Sequence, residues 1–377
     1  MEMEPVAKLL ADLVAIPSMN PMGRKREGAL YSEKNIADFI GSYLKRNAID
    51  IEVYDIAPGR PNVMAFVDVK AQDSLLLEAH MDTVHADNMS LDPFSPVIRD
   101  EKLYGRGSCD TKGSLAAFCH SVISLLQSGQ KLRYNILFLF VSDEEYMFGG
   151  AQAAAKKGLR ASFGINGEPT SLAIVRAHKG VTRLKIRTKG LAAHSAYPER
   201  GKNAIYRMAP VVERLEHLAK DLSNHKSNPL LGPPSLSVGV IEGGQAVNVV
   251  PDECWIDVDR RSIPGETTES ILESIKTSLN GLVDVHMDTP YLSVQGMDVR
   301  QDAAIVKLLS QSVKEVTGSV QIETAPYATD AGVYNNIGIP TVVFGPGNIA
   351  EAHTQAEFIE LKQLDQSVHI LQKLIAA

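Results

Sequence analysis

Ser74-Leu-Leu-Leu-Glu-Ala-His-Met-Asp82 is the stretch on which the reading of this 377-residue chain turns. Its core, Leu75-Leu76-Leu77, is apolar without alternation, as expected of a strand covered on both faces. Such a strand needs helices on either side, and the flanking sequence supplies them. Ser32 to Asn47 places apolar residues at Ile36, Ile40, Tyr43 and Leu44, the spacing of a helix. Gly113 to Ser128 and Gly150 to Lys157 read as further helices, and Asn62 to Val69 and Tyr134 to Ser142 as further strands. This alternation predicts an α/β sheet whose active residues gather at the carboxyl ends of its strands.

The pattern changes near residue 180. Val181 to Thr188, Ser235 to Ile241, Glu253 to Arg260 and Val283 to Asp288 read as strands. Helices over Asn203 to Leu222 and Thr268 to Leu279 interrupt them, giving the order β-α-β-β-α-β of a ferredoxin-like sandwich. From Asp302 the first style resumes, with a helix over Ala303 to Val316, a strand at Thr341 to Phe344 and a closing helix from Leu361. The expectation is a small domain, 180–291, inserted into a larger α/β domain made of 1–179 and 292–377. No internal repeat or low-complexity tract interrupts this plan.

Composition narrows the function classes. A net charge of −7 argues against nucleic acid or an anionic membrane as the dominant partner. Apolar runs such as Tyr134 to Val141 are strand-length and fall short of the ~20 residues of a membrane helix. The opening Met-Glu-Met-Glu-Pro lacks a basic leader, and Ala7 to Ile16 reads as an amphipathic helix ended by Pro17, so a cytoplasmic location is expected. Cys109, Cys119 and Cys254 lack CxxC spacing and are read as reduced thiols, the latter two as packing residues.

The polar residues at the strand ends carry the chemistry. His80 and Asp82 lie two apart on a strand and share a side, so Asp82 can hold one imidazole nitrogen while the other binds a metal. Alone, the pair is a weak signal, and a chance strand-end histidine beside a solvated aspartate is the better reading of it. Asp110 lies in the glycine-punctuated Tyr104-Gly-Arg-Gly-Ser-Cys-Asp-Thr-Lys-Gly113, which opens a helix; it reads as a helix cap or a ligand, and the spacing of a phosphate-binding loop is absent. Asp143-Glu144-Glu145 ends a buried strand, where three carboxylates repel one another unless a cation or solvent compensates. Glu168 follows Gly164-Ile-Asn-Gly167, and His353 follows Gly345-Pro-Gly347. As a set, two histidines and three carboxylates suit a pair of zinc ions bridged by one carboxylate.

At this point the strings Leu77-Glu-Ala-His-Met-Asp-Thr-Val84, Leu91-Asp-Pro-Phe94, Tyr104 to Gly113 and Asp143-Glu-Glu145 together resemble the M20 metallopeptidase family. That family includes acetylornithine deacetylase, succinyl-diaminopimelate desuccinylase, aminoacylase-1 and carboxypeptidase G2. Glu168-Pro-Thr-Ser-Leu172 and Val175-Arg-Ala-His-Lys-Gly180 look most like the acetylornithine deacetylase branch. The resemblance runs nearly the whole chain. It implies a zinc-peptidase-like catalytic domain with a central mixed, mainly parallel sheet, and an inserted lid that also dimerises.

It further implies that His80 and Glu168 bind one Zn2+, Glu145 and His353 the other, and that Asp110 bridges. Cobalt or manganese can substitute in such oxygen- and nitrogen-rich sites. Asp82 would orient His80, and Glu144 would be the general base that takes a proton from the attacking water and passes it to the leaving nitrogen. On the lid, Gly190 to Pro198 resembles the stretch whose histidine, here His194, reaches the oxyanion, often from the partner subunit. Tyr197 of that stretch, Asn248, Arg261 and Thr329 would contact substrate; Arg260 beside Arg261 leaves their register open. His85, His120, His178, His217, His225, His286 and His369 are read as surface or packing residues.

The expected reaction is hydrolysis of the amide of an N-acyl-L-amino acid by a homodimer. A dipeptidase or carboxypeptidase, or a desuccinylase, would use the same metal site with a differently shaped pocket. A non-catalytic binding protein would have no need of a free base beside the ligands. No GxSxG string points to a serine hydrolase.

Overall fold

The computed structural model describes residues 4–225 and 227–377. The readings that fall on Met1–Met3 and on the side chain of His225 lie outside the described residues.

The chain divides into two compact units. The first comprises the stretch up to Arg176 with Val299–Glu323 and Thr329–Ala377; the second comprises Ala177–Asp298 and Thr324–Ala328. The second unit runs on to Asp298, beyond the boundary expected at 291, because two short strands pair back into it. Leu292–Val294 lies antiparallel to the stretch Val181 to Arg183, and Met297 pairs with His178. Ala325 joins the same unit by accepting the Lys179 N–H.

The strands Ile51–Ala57, Arg60–Val67, Asn135–Val141, Ser74–His80, Phe163–Asn166 and Thr341–Val343 of the first unit lie side by side in that order, followed by Ile174–His178, whose last two residues belong to the second unit. The four from Asn135–Val141 to Thr341–Val343 are parallel, and the outer pairings are antiparallel. Leu75, Leu76 and Leu77 are fully buried, as their unbroken apolar run requires. The helices Lys112–Gln127, Leu361–Ile375 and Pro5–Val14 pack together. Gly149–Lys156 and Ala331–Asn336 contribute Ala151, Ala154 and Tyr334 to a cluster with Leu76 and Leu139. A separate antiparallel sheet of Val97–Arg99, Lys102–Tyr104 and Phe358–Glu360 ties the segment before Asp110 to the segment after His353.

The second unit has the order Gly180–Lys189, Ala204–His225, Ser235–Gly243, Glu253–Ser262, Thr268–Ser278, Val285–Met287. Its main strands are antiparallel, with Ser235–Gly243 at one edge, then Glu253–Ser262, Gly180–Lys189 and Val285–Met287. This is the ferredoxin-like arrangement. Both helices cover one face, burying Met208, Val211, Ile271 and Ile275 against Leu184, Ile186, Ile256 and Val258. The alternate residues form a ladder of ion pairs, Arg183–Asp259, Lys185–Asp257 and Arg187–Asp288.

Candidate metal centre

The parallel strands aim their carboxyl ends at one place. His80 is the last residue of Ser74–His80, Glu144 and Glu145 follow Asn135–Val141, and Glu168 follows Phe163–Asn166. His353 lies beyond Thr341–Val343, in a left-handed backbone conformation (φ 61°). Asp110 stands just before the helix Lys112–Gln127, and the Asp110–Thr111 peptide is cis.

Two groups of three side chains result. His80, Asp110 and Glu168 form one, and Asp110, Glu145 and His353 the other; within each, the ligand atoms lie within 4.8 Å of one another. Asp110 belongs to both. Its Oδ1 is 3.0 Å from His80 Nε2, and its Oδ2 is 3.2 Å from His353 Nε2. Glu145 Oε2 is 3.3 Å from His353 Nε2, and Glu168 Oε1 is 3.8 Å from His80 Nε2. Glu144 is buried nearby and belongs to neither group.

The electrostatics of these groups suit cations. Among the described residues, no lysine or arginine forms an ion pair with Asp110, Glu144, Glu145 or Glu168. Glu168 Oε1 is buried and has no hydrogen-bond partner among the described residues. Burial pushes the Glu144 and Glu168 carboxyls well above the usual carboxylate range. Burial also opposes ionisation of Asp110, but hydrogen bonds from His353 and His80 outweigh it and hold its carboxyl low. Hydrogen bonds to Asp110 and Glu145 push His353 up to about 11. His80 Nδ1 is 2.8 Å from the main-chain oxygen of Asp82; a carbonyl only accepts, so Nδ1 carries the proton. Nε2 is then the ring nitrogen that faces the carboxylates, 3.0 Å from Asp110 Oδ1, a place that a proton or a cation can fill. The residues therefore fit a dinuclear metal site.

The geometry gives Asp82 a different partner from the one expected. Its carboxylate is 3.8 Å from the His80 ring, which the Asp82 carbonyl already holds. The carboxylate instead accepts the main-chain N–H of Glu144 at 3.1 Å and of Glu145 at 3.2 Å. Asp82 thus caps the short helix Glu144–Met147 that carries both glutamates. One residue fixes His80 through its backbone and the glutamate turn through its side chain.

The remaining expected site residues fall in different places. Thr329, in the first unit, is buried, and its hydroxyl accepts the Ala331 N–H. In the second unit His194 and Asn248 share a corner, where Ala193–His194 pairs with Val249–Val250 and Ser195 N donates to the Asn248 carbonyl. His194 Nδ1 accepts the Ala196 N–H at 3.0 Å, which leaves Nε2 as the donor on an exposed ring; Tyr197 meets that ring edge-on. Strand alternation separates the two arginines. Arg260 points inward to Glu266 and is fully buried, whereas Arg261 is partly exposed and lies along Asp259.

Several residues that shape the site gave no sequence signal. Glu357 is fully buried, and one of its oxygens accepts the N–H of both Cys109 and Asp110 at 3.0 Å. Its other oxygen pairs with buried Arg106 at 2.6 Å, and Arg106 also reaches the Thr354 carbonyl. The loops of Asp110 and His353 are locked together in this way. Asn20 is likewise fully buried, between Asp82 and Asp143.

The sequence profile of Peptidase family M20/M25/M40 matches residues 76–377. An acetylornithine deacetylase of Myxococcus xanthus is 34% identical over 314 residues, covering 80% of each chain. Another, from Photorhabdus laumondii, is 31% identical over 99% of this chain and 97% of its own. Among solved structures, the M20 family metallo-carboxypeptidase Sso-CP2 from Sulfolobus solfataricus superposes with a TM-score of 0.78, at 20% identity over 99% of this chain and 98% of the other.

Proposed function

The chain belongs to the M20/M25/M40 peptidase family and is a hydrolase, and from that premise we propose that it uses two zinc ions to hydrolyse the amide of an N-acyl-L-amino acid. The observation that carries the reading is the placement of Asp110, one oxygen toward His80 and the other toward His353, with Glu144 outside both ligand groups. His80 and Glu168 would hold one ion, Glu145 and His353 the other, and Asp110 would serve both. When bound, the ions lower the pKa of water and draw charge from the amide carbonyl oxygen. Glu144 takes one proton from the attacking water and delivers it to the leaving nitrogen, so amide and water become a carboxylic acid and an amine. A buried carboxyl with raised proton affinity suits that shuttle.

The lid supplies the polar groups that face substrate. His194 donates its Nε2 proton to the developing oxyanion, with Asn248 and Tyr197 beside it. Arg261 offers a planar fork to the substrate carboxylate, and Thr329 borders the substrate from the catalytic unit. Arg261 pairs with Val181 at one end of Gly180–Lys189, whereas His194 follows the other end, where Lys189 pairs with Glu253. Eight residues of strand separate those ends by about 25 Å, more than a small acyl-amino acid spans. One lid therefore uses either its arginine or its histidine on a given substrate, which favours a homodimer that shares sites.

The surface of the lid agrees with this. Ser235–Gly243 is an edge strand with Val240 and Ile241 exposed, and Ile205, Tyr206 and Val247 are exposed around an open groove of about 850 Å³. Its outer edge, which pairs with no strand among the described residues, is a template for a second copy. The three buried, unpaired cysteines suit the reducing cytoplasm. No described helix is long and apolar enough to cross a membrane.

A panel of N-acetyl amino acids, N-succinyl amino acids and dipeptides, assayed with zinc added, tests the substrate class. N-acetyl substrates should give the highest kcat/KM. A preference for dipeptides or for succinylated amines would replace the deacetylase reading by a peptidase or a desuccinylase on the same metal site.

A further inference from the structure

All five candidate ligands lie within the stretch matched by the family profile, which begins at residue 76. Asn20 lies outside it and is nonetheless fully buried against that machinery. We propose that Asn20 is a positioning residue that sets where Glu144 and Glu145 stand, acting through Asp82. The inference rests on the base and ligand roles proposed above.

The N-terminal segment reaches the site as an added piece of strand. Met19 lies parallel to Thr83, Thr83 N donates to Ser18 O at 3.0 Å, and Asn20 N donates to Thr83 O at 2.8 Å. The Ser18 hydroxyl donates to Met81 O at 2.7 Å. Residues 18–20 therefore run beside 81–83, immediately after His80. The Met22 N–H donates to Asn20 Oδ1 at 2.9 Å, which identifies the oxygen side of the amide. Both hydrogens of Nδ2 then serve carboxylates: Asp82 Oδ2 at 2.7 Å and Asp143 Oδ1 at 3.0 Å. Every polar atom of this side chain is used.

Asp82 and Asp143 flank the first turn of the glutamate helix, and Asp143 holds a left-handed conformation (φ 68°). Two carboxylates so placed repel each other unless donors lie between them. Arg60 serves Asp143 from the outside at 2.7 Å, and is itself gripped by buried Glu33. Between the carboxylates stands a neutral amide. It supplies two donors and no charge, so it steadies Asp82 without placing a positive group beside residues that bind cations. Asp82 in turn holds the Glu144 and Glu145 N–H groups. Displacing a catalytic group by about 1 Å can cost roughly 100-fold in rate, so a loosened Asp82 reaches the chemistry through the turn.

A double-mutant cycle with Asn20→Ala, Asp82→Asn and the pair tests the coupling. Each protein is assayed for kcat and KM per folded molecule, and for metal retained after dialysis against a weak chelator. Asn20→Ala should lower kcat about 10- to 100-fold, with KM changed less than about twofold. Retained metal should fall as the Glu145 side loosens. In the Asp82→Asn background the same substitution should change kcat by no more than about twofold. Wild-type kcat and metal retention in Asn20→Ala, or full additivity of the two substitutions, would overturn the proposal. Should Asn20→Ala not fold, Asn20→Ser, which keeps one donor, goes through the same cycle with the same criteria. A Glu144→Gln protein with normal turnover would instead refute the underlying roles; an inactive Glu144→Gln beside a normal Asn20→Ala would refute this inference alone.

Discussion

Asp82 holds His80 by its main-chain carbonyl, 2.8 Å from Nδ1, while its carboxylate, 3.8 Å from that ring, is engaged with the backbone of Glu144 and Glu145. The two duties are separable. Asp82→Asn leaves the carbonyl in place, so His80 should keep its orientation. An amide, however, presents one oxygen and one NH2 group to two N–H donors. We expect kcat to fall about 10- to 100-fold, while metal affinity at the His80 side changes far less. Parallel calorimetric metal titrations and steady-state kinetics check this; loss of both metals together with activity would return the carboxylate to the imidazole.

Glu144 belongs to neither ligand group, so Glu144→Gln should retain both metals and lose nearly all turnover, about 100- to 10,000-fold in kcat. Metal analysis and kinetics on one preparation decide it. Turnover at the wild-type rate would dismiss Glu144 as the base.

Glu357 pairs with Arg106 where neither side chain is exposed, and it holds two main-chain N–H groups at Asp110. Glu357→Gln strands the guanidinium in the interior. Breaking a buried pair in this way costs about 3–5 kcal/mol, and urea unfolding of the variant should show a loss on that scale. An unchanged urea midpoint would mean that the pair carries little of the stability of the two loops.

His178 is fully buried, and burial lowers its pKa to about 4. The folded value lies below the unfolded one, so neutral His178 contributes stability that is fully present above about pH 6.5 and is lost as pH falls through about 4. The contribution is at most about 3 kcal/mol. Urea midpoints at pH 7.5 and 4.5 should diverge more for the wild type than for His178→Gln. Equal divergence would rule out this histidine as a source of acid lability.

The strands and the candidate ligands at their ends are legible because their causes are local. Leu75-Leu76-Leu77 is apolar throughout since both its faces are covered, and a parallel sheet must deliver its strand-end residues to one edge. His80, Glu145, Glu168 and His353 could be read from that rule and from the resemblance together. Asn20 and Glu357 could not. Each acts across more than sixty residues of sequence, and a buried amide or carboxylate looks no different in sequence from a solvated one. The sequence pattern places the end of the second unit at 291 because Leu292–Val294 and Met297–Asp298 are too short to show a period. His80 meets Asp82 through its main-chain oxygen and not the carboxylate that the sequence suggests: the i, i+2 rule places both side chains on one side but is silent about the Asp82 carbonyl.

The most direct test of the two-metal account is a zinc titration of metal-free protein, prepared by chelation and dialysis, with bound metal and hydrolysis of an N-acetyl amino acid followed together. The account predicts no turnover at the start and activity that saturates at about two ions per chain, with neither His80→Ala nor His353→Ala reaching that stoichiometry. Full turnover by the metal-free chain, or saturation with no ion retained, would contradict it.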